Sequence, residues 1–166
     1  MPASDPVEIL LAHDLWATRN VLEACAKLSD EQFHQRFEIG PGSLHDTIEH
    51  MLGAMRLWTD VLAQRVIRPR LELAGARRPV AELRRLLEES AAEFAEQARA
   101  RPVDETVRRE RGGKTYTYTR GAAIMQVATH GAHHRAHCLN MLRRLGVAPL
   151  PPVSVAEWTW TEVAPG

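Results

Sequence analysis

The sequence predicts an all-α fold, a four-helix bundle in a single domain spanning residues 1–166. Four segments carry apolar residues at helical spacing, and Gly- and Pro-containing breaks separate them. The third connection is long. A chain of 166 residues is long enough for one well-packed core and short for two.

The first predicted helix starts at Ser4-Asp5-Pro6 and continues to about Leu28. Ser4 can cap it, and Pro6 is tolerated in the first turn because the N–H that proline lacks has no helical partner there. His13 lies beside the apolar face of this helix. We expect it to pack at the core or its rim rather than to carry chemistry.

The second predicted helix follows the break at Gly40-Pro41-Gly42 and runs to about Val66. Ser43 and Asp46 resemble a capping box at its start. His50 shares a stripe with apolar residues, so we expect its ring to project into the apolar face rather than into water. A lone histidine in such a position is most often a hydrogen-bonded structural residue.

The third predicted helix begins after Arg77-Arg78-Pro79 and ends near Ala100. The chain then changes character, because Thr106-Val107 and Tyr116–Thr119 favour strand and Gly112-Gly113 between them is a turn signal. The long third connection is therefore expected to hold a short hairpin or another ordered excursion.

The fourth predicted helix runs from Ala122 to Leu145. Thr119 can cap it, and Gly146 with the prolines that follow ends it. The tail beyond them, which carries two tryptophans, is expected to pack as a C-terminal extension.

Half of the eight histidines fall within eight residues of this fourth helix. At about 100° per residue, His130, His134 and His137 lie within roughly 60° of one another on one face, with His133 at its edge. Imidazoles four residues apart on a helix can bind one cation together. Because two histidines rarely hold a catalytic metal unaided, another helix has to supply a ligand, and His50 is placed to do so. A metal-free bundle in which the histidines satisfy one another is the simplest alternative.

Composition argues against several classes of protein. Lys+Arg and Asp+Glu both number 21, so the chain lacks the basic excess of a nucleic-acid-binding protein. No apolar run reaches the roughly 18 residues of a membrane span, and the acidic start does not resemble a signal peptide. Cys25 and Cys138 make no disulfide framework. We therefore expect a cytoplasmic protein that binds neither nucleic acid nor a membrane.

Three stretches, in order and at matching separations, resemble the motifs of one family. His13–Ala17 is similar to a tyrosine-x-x-Trp-Ala start, with histidine in place of tyrosine. Gly42–Gly53 is similar to a second-helix motif that contains a ligand histidine. His130–His137 is similar to His-x-x-x-His-Arg-Gly-Gln, with Ala136 and His137 in place of Gly-Gln. Together they resemble the DinB/YfiT-like family of four-helix-bundle metalloenzymes.

Carried over by position, the resemblance implies a metal triad of His50, His130 and His134, the same three residues that helical geometry brings to attention. His137 adds an imidazole one turn beyond His134, as a fourth ligand, a proton shuttle or a hydrogen-bond donor to a ligand. Asp46 is the carboxylate favoured to hold an imidazole tautomer. His137 and Asp46 are therefore the catalytic candidates. Cys138 is a weaker candidate ligand and is expected to be a small buried residue.

The resemblance also implies a function. Relatives in the broader superfamily include transferases and isomerases that use low-molecular-weight thiols such as bacillithiol or mycothiol. The chain is therefore expected to be a metal-dependent, thiol S-transferase-like enzyme acting on a small-molecule substrate. Zinc or nickel is the first choice of divalent ion, although imidazole also suits copper and iron.

Two other functions remain open for the same site. The first is hydrolysis by a metal-bound hydroxide. The second is a non-catalytic, stress-associated dimeric bundle that senses or stores the ion. In each case the resemblance favours a homodimer.

Overall fold

The computed structural model describes the backbone of residues 5–163, with the side chains of these residues other than 73, 74 and 160–163. In chain order the elements are α1 (Pro6–Cys25), α2 (Asp30–Phe33), α3 (Leu44–Leu62), a 3₁₀ turn (Leu71–Ala74), α4 (Val80–Arg99), β1 (Thr106–Arg111), β2 (Lys114–Thr119), α5 (Arg120–Arg144) and α6 (Val155–Val163). The predicted cap Ser4 lies outside the described residues. The side chain of Asp5 caps α1, accepting from the backbone N–H groups of Val7 and Glu8.

The fold is mostly helical, which confirms the all-α class in outline, although a small antiparallel sheet is also present. Helix α3 packs against α4 and α5, and α1 packs against the same two helices. The four-helix bundle remains an interpretation of these pairings. Within the described part of the chain, no helix is both long enough and apolar enough to cross a bilayer.

Helix α3 ends at Leu62, before the predicted end at Val66, and α1 likewise ends before Leu28. At the end of α3 a buried carboxylate, that of Asp60, binds groups of the chain that follows and so favours an end to the helix. Asp60 accepts hydrogen bonds from Arg65 Nε at 2.7 Å and from the backbone N–H of Arg68 at 2.9 Å. These bonds fold the following segment back over the helix end.

The predicted hairpin is present in the third connection. Strands β1 and β2 pair antiparallel around Gly112 and Gly113, whose φ angles are +57° and +71°. Positive φ at both turn residues is typical of the tight turns that match strand twist, and glycine adopts it without strain. On β1, Val107 is buried and packs into the core next to α3. The hairpin is thereby held against α3.

A buried arginine holds two helix ends together. Arg120, at the start of α5, donates from Nη1 to the carbonyl of Leu62 at 2.8 Å and from Nη2 to the carbonyl of Gln97. These carbonyls lie in the last turns of α3 and α4, where the regular helical donors run out, although the carbonyl of Gln97 also accepts from the backbone N–H of Ala100 at 3.3 Å. Sequence reasoning missed this residue because the carbonyls it contacts belong to distant parts of the chain.

A second buried contact, an ion pair, joins α1 to α5. Nη1 of Arg135 lies 2.5 Å from Oδ1 of Asp14 and 3.1 Å from Oγ1 of Thr18. Burial raises the pKa of Asp14, and the Arg135 guanidinium opposes that rise. A methyl group on Gly131 would lie 2.5 Å from Oδ1 of Asp14 and 2.9 Å from Nη1 of Arg135. Glycine at this position therefore makes room for the pair.

The C-terminal tail packs against α1, as expected. Nε2 of His13 lies 2.9 Å from the carbonyl oxygen of Val153, and Nδ2 of Asn20 donates to the carbonyl of Pro152 at 2.9 Å. Trp158 is buried next to the His13 ring. His13 thus has the packing role predicted from sequence.

We expect Gly131→Ala to lower the free energy of unfolding by about 1–3 kcal/mol, the usual cost of overfilling a packed site. At an exposed helix position the same change would raise the free energy of unfolding by about 1 kcal/mol. A loss of stability in Gly131→Ala would therefore show that the added methyl group collides with the ion pair. Urea denaturation provides the measurement. Ala92→Gly, at an exposed position within α4, provides the control for helix propensity. Stabilisation by Gly131→Ala would contradict this account.

Candidate metal centre

Three imidazoles from two helices meet at one point. His50 comes from α3, and His130 and His134 come from consecutive turns of α5. One ring nitrogen from each residue lies within 4.8 Å of the others, and Nε2 of His50 is 3.1 Å from Nε2 of His130. The structure therefore brings together the three residues that the sequence singled out, and they can hold a metal ion.

The position of His50 differs from the sequence expectation. Its side chain is 28% exposed, so it lies at the rim of the core rather than within the apolar face. The buried face of α3 is centred on Ile48 and Leu52, on the opposite side of the helix from His50. The stripe that we assigned from sequence is half-buried at His50, Ala54 and Leu57 and becomes fully buried only at Val61. His50 nevertheless reaches α5, because the two helices pack directly against each other.

A carboxylate that the sequence did not reveal holds His50. Nδ1 of His50 lies 3.0 Å from Oε1 of Glu72, in the 3₁₀ turn. An imidazole that donates from Nδ1 to a carboxylate presents the lone pair of Nε2, and Nε2 is the atom that faces His130. A methyl group on Gly53 would lie 2.7 Å from Oε2 of Glu72, so glycine allows the carboxylate to approach.

Asp46, the carboxylate favoured from sequence, does not hold His50, and that prediction is wrong. Asp46 accepts from Nδ1 of His45 at 2.9 Å and from Nη1 of Arg36 at 2.5 Å. Its position in the first turn of α3 leaves it with partners outside the three-histidine group. Glu72 lies in a connection without periodicity, so nothing local in the sequence marks it.

The site favours uncharged imidazoles. Burial, followed by the neighbouring imidazoles, lowers the pKa of His134 to about 3. The same two causes lower the pKa of His130 to about 4, with Glu72 acting in the opposite direction. Both rings are therefore neutral at pH 7, which is the form that binds a metal.

A second group of three histidines adjoins the first and shares His134 with it. One nitrogen each from His133, His134 and His137 lies within 4.8 Å of the others. Within the described residues, Nδ1 of His134 and Nδ1 of His137 are buried without a hydrogen-bond partner. His137 thus groups with His133, not with His50 and His130, and the fourth-ligand interpretation gains no support.

Cys138 has the properties of a core residue. It is fully buried among apolar side chains, and burial raises its pKa to about 12. A thiol with that pKa is not a thiolate at neutral pH, and only the thiolate is a strong metal ligand. The expectation of a small buried residue therefore fits the structure.

A cavity of about 430 Å³ opens next to the three-histidine group. His50 and His130 form part of its wall, and Trp58 and Tyr118 form another part. Ligand cavities of a few hundred Å³ accommodate small organic molecules. A substrate in this cavity would lie beside His50 and His130.

Comparison with known proteins supports a family assignment. A family model described as the DinB family matches residues 3–162, which is nearly the whole chain. No curated protein matches the chain.

We expect the metal-free chain to lose stability as pH falls from 7 to 5. The pKa values of His130 and His134 in the folded chain lie below the ordinary 6.5, so the unfolded chain binds protons that the folded chain does not. Above pH 7 both states carry neutral rings and this contribution vanishes. Urea midpoints at the two pH values provide the measurement. The double variant His130→Gln/His134→Gln should show a shallower dependence, and an unchanged dependence would contradict the assignment.

Proposed function

The chain belongs to the DinB family, and on that premise we propose that it is a metal-dependent enzyme whose divalent ion is held by His50, His130 and His134. The observation that carries the proposal is the convergence of three imidazoles, with ligand nitrogens within 4.8 Å of one another. The donor set fits the ion, because neutral imidazole is a common ligand of zinc and nickel. The buried Nδ1 of His134, which has no partner among the described residues, supports the same fit.

Three protein ligands leave a coordination position for water or substrate, as in catalytic zinc sites. A divalent ion in such a position lowers the pKa of a bound water or thiol. We propose that the chain uses this effect on a low-molecular-weight thiol, which would release its S–H proton to solvent and attack a small electrophilic substrate. A new carbon–sulfur bond would form as the substrate's leaving group departs with its bonding electron pair. Hydrolysis remains the second use of the same position.

The chain's own residues have distinct tasks in this proposal. Glu72 holds Nδ1–H of His50, so that Nε2 stays directed at the ion position. Burial keeps His130 and His134 neutral, so that no proton has to leave them before the ion binds. The adjoining cavity admits the reactants beside His50 and His130.

A second candidate function is metal binding without catalysis. The observation in its favour is the second group, His133, His134 and His137, next to the first. A chain that stores or senses metal would have more ligands than one ion needs, as the two adjoining histidine groups provide. In that case the open coordination position would have no use.

We also propose that the chain is a cytoplasmic homodimer. On α5, Met125 is 49% exposed, and Ala132 and Ala136 are exposed on the same side. We propose that a second copy packs on this side of α5. A sedimentation experiment that found only monomer at micromolar concentration would contradict the dimer.

We expect the cobalt-substituted chain to change its visible spectrum when a simple thiol or azide is added, because either ligand can occupy the open position. His50→Gln should weaken cobalt binding at least about tenfold, the usual scale for losing a group that supports a metal. The control is His34→Gln, which removes a histidine outside both groups. Binding of cobalt with no response to thiol or azide would favour the non-catalytic function, and absence of cobalt binding would contradict both.

A further inference from the structure

The cavity beside the three-histidine group carries concentrated positive charge. Arg70, just before the 3₁₀ turn, and Arg109 and Arg111, on β1, form part of its wall, and no Asp or Glu residue lines it among the described residues. Alternate residues of a strand share a face, so Arg109 and Arg111 lie on one side of the hairpin and Arg108 on the other. Two separate elements thus contribute arginine side chains to the wall of one cavity.

These three arginines have no acidic partner in the part of the chain that the structure describes. Other arginines do, among them Arg19, Arg36, Arg65, Arg78, Arg99 and Arg135. The chain has zero formal net charge, so the positive charge at this cavity is a local concentration and does not follow from an overall excess of basic residues. Three like charges around one cavity repel one another unless an anion joins them.

The pKa of Arg109 reports this repulsion. Burial is the first cause that lowers it, Tyr118 opposes that change, and the positive charges of Arg111 and Arg70 lower it further. The guanidinium stays charged, because arginine is not deprotonated in proteins. A bound anion would relieve the cost.

Aromatic contacts fix the central guanidinium in place. The Cζ atom of Arg109 lies 5.3 Å from the centre of the Trp58 ring, within the range of a cation–π interaction. Trp58 in turn makes an edge contact with Tyr118 at 5.3 Å between ring centres. A guanidinium held in this way loses little freedom when it binds a carboxylate or phosphate.

We propose that this cavity binds a small organic anion, whose carboxylate or phosphate group is held by Arg109, Arg111 and Arg70 while its other end lies at His50 and His130. The inference rests on the proposed function, since it gives the substrate class of the same site. The cavity thus has a cationic end that orients the molecule and a histidine end where the molecule reacts. An uncharged molecule of the same length would lack that orientation.

The test uses the cobalt-loaded chain and two thiols of matched length, mercaptohexanoate and mercaptohexanol, which differ in charge at the far end. Binding of the thiolate is read from the cobalt charge-transfer absorption. We expect mercaptohexanoate to bind at least about tenfold more tightly, the factor that one charge-assisted hydrogen bond supplies. Equal affinities would overturn the anion proposal and leave the metal proposal standing.

Variants locate the effect. The double variant Arg109→Gln/Arg111→Gln should abolish the preference for the acid, and Arg70→Gln, on a separate element, should weaken it. Arg108→Gln removes the same charge from the outward face of the same strand and should keep the full preference. A preference that survives the double variant, or that Arg108→Gln also removes, would overturn the assignment to these arginines.

A second experiment needs no metal and tests the anion site by itself. If neither thiol bound the cobalt-loaded chain, that result would count against the open metal position alone, and this second experiment would still decide whether the cavity binds anions. Phenylphosphonate and benzoate are titrated into the metal-free chain while the Trp58 indole N–H signal, assigned with Trp58→Phe, is followed by NMR. We expect a saturable shift that the double variant loses and Arg108→Gln keeps. The anion with the larger affinity distinguishes phosphate from carboxylate, and no shift with either would overturn the proposal.

Discussion

The contact between α3 and α5 brings three imidazoles to one point, and the proposed chemistry depends on it. Helix α5 alone supplies two of the rings at the spacing of one turn, and α3 supplies the third across the interface. Burial together with mutual repulsion keeps His130 and His134 neutral, so their lone pairs stay available. An ion between the three rings would satisfy nitrogens that otherwise face one another.

Buried polar contacts hold these helices in position. The pair of Arg135 and Asp14 anchors α5 to α1 immediately beside His134, and Gly131 gives it room. Glu72 fixes His50 from the opposite side, and Gly53 gives that carboxylate room. Two glycines inside helices, where alanine is intrinsically better, thus serve two polar contacts around one site.

Sequence reasoning reached the parts of the fold and site that local spacing encodes. Helical periodicity identified the four long helices, Gly112-Gly113 marked the hairpin, and the four-residue spacing paired His130 with His134. Local spacing could not predict contacts between residues that are distant in sequence. Asp46 was favoured because it lies one turn from His50, whereas only the folded chain brings Glu72 and its 3₁₀ turn to that ring. The β1 arginines that line the cavity likewise could not be connected with His50 from sequence, because only the packing of the hairpin beside α3 brings them to the same cavity.

X-ray absorption spectroscopy of the zinc-loaded chain, prepared without a histidine tag, tests the central claim most directly. We expect three imidazole nitrogens at about 2.0–2.1 Å from the ion, with one further ligand such as water. His134→Gln should remove imidazole scattering, since His134 belongs to both histidine groups. A zinc ion without imidazole ligands in the unaltered chain, or an unchanged spectrum in a variant that lacks His50, His130 and His134, would contradict it.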